Sequence, residues 1–77
     1  MRQQKTETRF VVCVKNEKYP TALELRKIYQ TLSDAGAAKH QLIRVIDESG
    51  EDYLYPVDYF VPIRLPVLAI KALALAA

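Results

Sequence analysis

The chain has 77 residues, 51% of them hydrophobic and 26% charged, and its 11 basic and 9 acidic side chains leave a net charge of +2. That length excludes a second domain with its own core, and a fold this short buries only about 60% of the surface its unfolded chain exposes. The single cysteine, Cys13, excludes an intramolecular disulfide, and one histidine leaves no cluster for a structural zinc.

The charge is segregated along the chain. Residues 1–30 carry +4, residues 31–46 carry +1, residues 47–60 carry −5 and residues 61–77 carry +2. An acidic knot inside a mildly basic chain argues against a global attraction to nucleic acid. The opening MRQQKTET is polar, lacks the apolar centre of a secretory signal, and reads as a disordered tail over residues 1–8. With the lone cysteine, this predicts a cytoplasmic protein.

Phe10 to Val14, FVVCV, is rich in β-branched residues and bounded by the turn-prone Lys15-Asn16-Glu17-Lys18. It predicts a strand covered on both sides, with Phe10, Val12 and Val14 on one face and Val11 and Cys13 on the other. Cys13 then reads as packing rather than as a reactive thiol. Thr21 to Leu32 is ambiguous. Thr21 and Glu24 could form a capping box, but Leu23 and Leu25 alternate with charges and Ile28, Tyr29 and Thr31 favour extended backbone. We read it as a bent strand with a bulge near Arg26-Lys27, with a helix as the rival.

Ser33 to His40 reads as a loop holding one helical turn, capped by Ser33 or Asp34, with His40 a solvated loop residue. LIRVID (42–47) and EDYLYP (51–56) flank Glu48-Ser49-Gly50 and predict an antiparallel hairpin. A two-residue Ser49-Gly50 turn sets Val45 opposite Leu54 and Arg44 opposite Tyr55. Ile43, Val45 and Leu54 then face the core, while Ile46, Tyr53 and Tyr55 lie outside. Val57 to Phe60 suits a single helical turn. Val61-Pro62-Ile63 suits an edge strand, since proline cannot donate to a ladder. Pro66 opens a predicted helix over residues 66–75, with Leu68, Ala72 and Leu75 along one side and Ile70, Leu73 and Ala77 widening the stripe. The segment is too short to cross a membrane.

Several of these pieces occur together elsewhere. Asn16 after the first strand, Lys27-Ile28-Tyr29, the Asp47-Glu48-Ser49-Gly50-Glu51 hairpin and the closing Tyr55-Pro56-Val57-Asp58-Tyr59-Phe60 turn resemble small bacterial and phage proteins of the Src-homology-3-like fold. Leu25-Arg26 departs from the glycine those proteins carry before the second strand. The resemblance implies a mainly β fold: a five-stranded Src-homology-3-like barrel over residues 9–64, preceded by the 1–8 tail and followed by a helical tail over 65–77. It further implies a peptide-binding face in which Pro56 and Tyr59 form a Pro-x-x-Tyr turn and Tyr19 is a loop tyrosine. Tyr53 and Tyr55 complete the candidate partner-binding set. The chain has no tryptophan, so the residue that usually floors such a groove is missing. The competing reading is that Tyr59 and Phe60 close the barrel.

The inventory contains no Gly-rich phosphate loop, nucleophile elbow or Cys-His spacing, so no catalytic residue, cofactor site or metal site is assigned. Asp47, Glu48, Glu51 and Asp52 do not follow a calcium-loop spacing and read as a solvated turn, their repulsion offset by Arg44 or Lys27. The expected function is a non-enzymatic binding or accessory module for an unidentified protein partner. The alternative is a nucleic-acid-binding small barrel using Arg9, Lys15, Lys18, Arg26 and Lys27. The apolar tail over 66–75 points to a homodimer contact.

Overall fold

The computed structural model describes residues 9–76, with side chains as far as Leu73. The expected 1–8 tail and the stripe positions Leu75 and Ala77 lie outside the described residues and side chains. Five antiparallel strands form one sheet: β1 (Arg9–Cys13), β2 (Ile28–Leu32), β3 (Leu42–Ile46), β4 (Asp52–Pro56) and β5 (Phe60–Ile63). Their order across the sheet is β4-β3-β2-β1-β5, so the last strand returns to pair with the first. α1 (Ala35–Ala38) links β2 to β3, a 3₁₀ turn (Val57–Tyr59) links β4 to β5, and α2 (Val67–Ala76) ends the chain. A mainly β fold with a short C-terminal helix is therefore as expected.

β1 sits between two neighbours and is covered on both faces, with Phe10, Val11 and Cys13 buried. It ends one residue early, and Val14 is exposed instead of inward. The core gathers Val11, Cys13, Leu23, Tyr29, Val45, Tyr55, Tyr59 and Phe60, with Ala22 and Ile43 packed against it.

Residues 21–32 are half strand. Extended backbone begins only at Ile28, and Thr21–Lys27 is a string of turns. Two residues enforce this. Leu23 drops into the core with no exposed surface, and Arg26 adopts a left-handed φ of 66°, which no continuous strand or helix contains.

The hairpin is antiparallel, as expected, but its register is shifted by one residue: Val45 pairs with Tyr53, Arg44 with Leu54 and Ile43 with Tyr55. Within the loop only Gly50 takes positive φ, at 85°, so the loop is the three-residue Glu48-Ser49-Gly50 rather than a two-residue turn that would also force Ser49 left-handed. Asp47 fixes it, its Oδ1 accepting from the Ser49 N–H at 2.9 Å and the Ser49 hydroxyl at 2.6 Å. A one-residue slip turns every β4 side chain to the other face. Tyr55 therefore enters the core and Leu54 is 39% exposed, the reverse of the sequence expectation, while Ile43 and Val45 face inward as expected.

Asp34 caps α1, accepting from the Ala37 N–H at 2.9 Å, and its other oxygen takes Arg44 Nε at 2.8 Å. Gln41, at φ 59°, then turns the chain into β3. α2 meets its own sheet only lightly. Ile70 borders a groove of about 730 Å³ with Phe10, Pro62 and Leu65, while Val67 and Leu68 are 66% and 80% exposed. No described helix is long and apolar enough to cross a membrane.

Candidate partner-binding surface

The long connection between β1 and β2 folds back over the hairpin, and that arrangement builds the site. Asn16 Nδ2 donates to the Leu23 carbonyl at 2.9 Å, and the Ala22 and Leu23 amides both donate to the Tyr19 carbonyl. The loop is thus internally braced, with Leu23 as its apolar anchor. It is tied to the hairpin tip by the Glu48 N–H donating to the Ala22 carbonyl at 3.0 Å. Beside this bond the Tyr29 hydroxyl donates to Glu48 and accepts from the Glu24 N–H, while Lys27 Nζ lies 2.7 Å from Glu48. A tyrosine fits a buried seam of this kind because its ring packs while its hydroxyl finds a polar partner.

Tyr55 makes the second tie, its hydroxyl donating to Asp47 within the core. Asp47 is only 6% exposed, so this member of the acidic knot is not solvated, whereas Glu48, Glu51 and Asp52 are exposed as expected. Each carboxylate of the knot has a partner in the fold. Asp47 takes Ser49 and Tyr55, Glu48 takes Lys27 and Tyr29, Glu51 takes the Tyr53 hydroxyl, and Asp52 takes Arg44 at 2.8 Å. The expected compensation by Arg44 and Lys27 is present. Burial pushes the Asp47 pKa upward, but the hydrogen bonds from Ser49 and Tyr55 together outweigh it and hold the carboxyl below its usual value. Lys27, and after it Tyr29, likewise lower Glu48. Burial first, and the carboxylate beside each second, push the Tyr29 and Tyr55 hydroxyls above the usual tyrosine value, so both stay protonated donors.

Three of the five candidate residues come together. The Tyr19 ring stands edge-on to Tyr55 with centroids 4.9 Å apart and 6.2 Å from Tyr59. Tyr55 and Tyr59 are core residues, 3% and 6% exposed, whereas Tyr19 keeps 38% of its surface open. Tyr53 projects from the same strand face as Tyr55 and is 50% exposed. Pro56 is part-buried where the 3₁₀ turn begins. Tyr19 and Tyr53 are the open members of the set, Tyr55 and Tyr59 form the floor beneath Tyr19, and Pro56 is half-buried. Sequence reasoning did not find the roles of Tyr29 and Asp47 as ties beneath this surface. A tyrosine alternating inward in β2 and an Asp-x-Ser at a turn were the available signals.

No family model, curated protein or solved structure matches this chain. Its chemistry therefore has to be read from its own groups. Cys13 is fully buried, its Sγ–H donating to the Lys15 carbonyl, and burial raises its pKa. Among the described residues no three His, Cys, Asp or Glu side chains gather as a metal site. Of the basic candidates, Lys15 pairs with Asp58 at 3.5 Å and Lys27 with Glu48, which takes two cations out of any phosphate-binding row.

Proposed function

We propose that the chain is a non-enzymatic binding or accessory module of the Src-homology-3-like kind, working in the cytoplasm and engaging a protein partner through Tyr19, Tyr53 and Pro56. The observation that carries the reading is the half-open Tyr19 ring standing on the buried Tyr55 and Tyr59, with the exposed Tyr53 on the same strand face as Tyr55. Aromatic rings held rigidly at a surface lose little entropy on binding, and such residues dominate protein interfaces. The strand order and the Pro56-to-Tyr59 turn support the Src-homology-3-like reading.

The test is a quantitative pull-down with the whole chain from its native host. A stoichiometric protein partner is expected, retained by Lys18→Ser and lost by Tyr53→Ser at unchanged circular dichroism. Partner recovery indifferent to Tyr53 and Tyr19 would refute the surface. Salt-sensitive binding of mixed RNA or DNA that Lys18→Ser weakens would replace this reading with the nucleic-acid one.

A further inference from the structure

The sheet has two edges, one blunted and one open. At the β5 edge, the bond from the Val14 N–H to the Tyr59 carbonyl, 2.7 Å, sets the phase of the ladder and turns the Pro62 nitrogen outward. Proline has no N–H, so the middle of that edge offers no donor. At the β4 edge, the Asp47 N–H donates to the Glu51 carbonyl at 3.1 Å and the Val57 N–H to the Gln41 carbonyl at 3.0 Å, bracketing the β3–β4 ladder. Alternation between those bonds aims the backbone groups of Tyr53 and Tyr55 at β3 and those of Asp52, Leu54 and Pro56 outward. No described residue pairs with this edge. Leu54 stands at its centre with donor and acceptor both open, which is a template for a further strand.

The outward groups complement themselves about a two-fold axis through Leu54. With a second β4 laid antiparallel, Leu54 faces Leu54, Tyr53 faces Tyr55 and Asp52 faces Pro56. Each Leu54 N–H then meets the opposite Leu54 carbonyl, and each Asp52 N–H meets the opposite Pro56 carbonyl. Only the Asp52 carbonyl, opposite the proline nitrogen, is left to water. This register aligns all five residues of the strand. It also keeps Asp52 away from its own copy, whereas pairing Asp52 with Asp52 would set like charges face to face. Arg44, which also pairs with Asp34, lies 2.8 Å from Asp52 and offsets part of its charge.

We propose that two copies of this chain join edge to edge through β4, making one continuous sheet with Leu54 on the two-fold axis. The contact shares Tyr53 and Pro56 with the proposed partner surface, but its test reads position 54 and the association state of the chain alone, so the two readings fail separately. It is smaller than a standard interface, so the dimer is weak and concentration-dependent.

Sedimentation equilibrium of the full chain, joined to amide exchange, tests this. The expected result is reversible dimerisation in which the Asp52 and Leu54 amides gain protection, while those of Tyr53 and Tyr55, already bonded to β3, do not change. Leu54→Lys sets a cation against itself at the axis and abolishes the dimer at unchanged circular dichroism, as does Leu54→Glu. An equimolar mixture of L54K and L54E regains it, which follows only if position 54 faces position 54. A monomer at every concentration, or a dimer that survives L54K and is lost with Leu68→Lys on α2, overturns the proposal.

Discussion

The register of the hairpin can be weighed by truncating two neighbours in it, Val45 and Leu54. Val45 has no exposed surface, and Val45→Ala removes two methyl groups worth about 0.8 kcal/mol each in transfer. A residual hole of roughly 40 Å³ at ~24 cal/mol per Å³ adds ~1 kcal/mol, for a total near 2.5 kcal/mol. Leu54 is 39% exposed on the opposite face, so Leu54→Ala opens no sealed cavity and costs about 1 kcal/mol or less. The assay is urea unfolding at low protein concentration, with the slope against urea checked for constancy between variants. For a domain of this size each kcal/mol moves the melting temperature by about 4–8 °C, so the two variants separate readily. Equal costs for Val45→Ala and Leu54→Ala would return Leu54 to the core and refute the one-residue slip.

Three further outcomes are expected. Tyr55→Phe leaves the Asp47 carboxylate, 6% exposed, without one donor and destabilises by about 1–3 kcal/mol at neutral pH. Because the folded Asp47 pKa lies below its unfolded value of about 3.9, its contribution is complete above that value and is lost as pH falls through the folded one. Tyr55→Phe should therefore flatten the stability-against-pH curve in that acid range, and an unaltered slope would show that the tie is inert. Arg26→Gly, at φ 66°, relieves a left-handed side chain at some entropic cost and stabilises by about 0.5–1 kcal/mol in thermal unfolding; a loss of stability would mean that the arginine side chain, not the backbone, holds the loop. On α2, Leu68→Ala at 80% exposure shifts stability by no more than about 0.5 kcal/mol. Ile70→Ala, which touches the groove, lowers the melting temperature more; the opposite ranking would mean that α2 lies on the sheet by its other face.

What the sequence disclosed tracks the range of the forces involved. The β1 run, the Asp34 cap, the 3₁₀ turn after Pro56 and the edge role of Pro62 are local, each fixed by residues within a turn of one another. The hairpin was legible as a hairpin, yet its register hung on whether Ser49 would take positive φ, and Asp47 decided that by holding Ser49 in place. Leu23 and Leu25 looked alike in the alternation, and only the closure of the long loop separates the buried one from the 45% exposed one. For the site, Tyr19 and Tyr53 were visible as candidates, but the burial of Tyr55 and Tyr59 beneath them comes from pairings across the chain that no single window of sequence contains.

The seating of β1 between β2 and β5 governs the order in which the chain can fold. β2, β3 and β4 follow one another as a meander whose contacts span short stretches, so they can be made early. β1 has one of its two neighbours only after Phe60–Ile63 arrives, and closing that distance carries the largest loop entropy in the sheet. Until then Val12 and Cys13 lie along a bare edge. Phe60–Ile63 is therefore the segment that covers the second edge of β1, and without it that edge would stand open as a strand template.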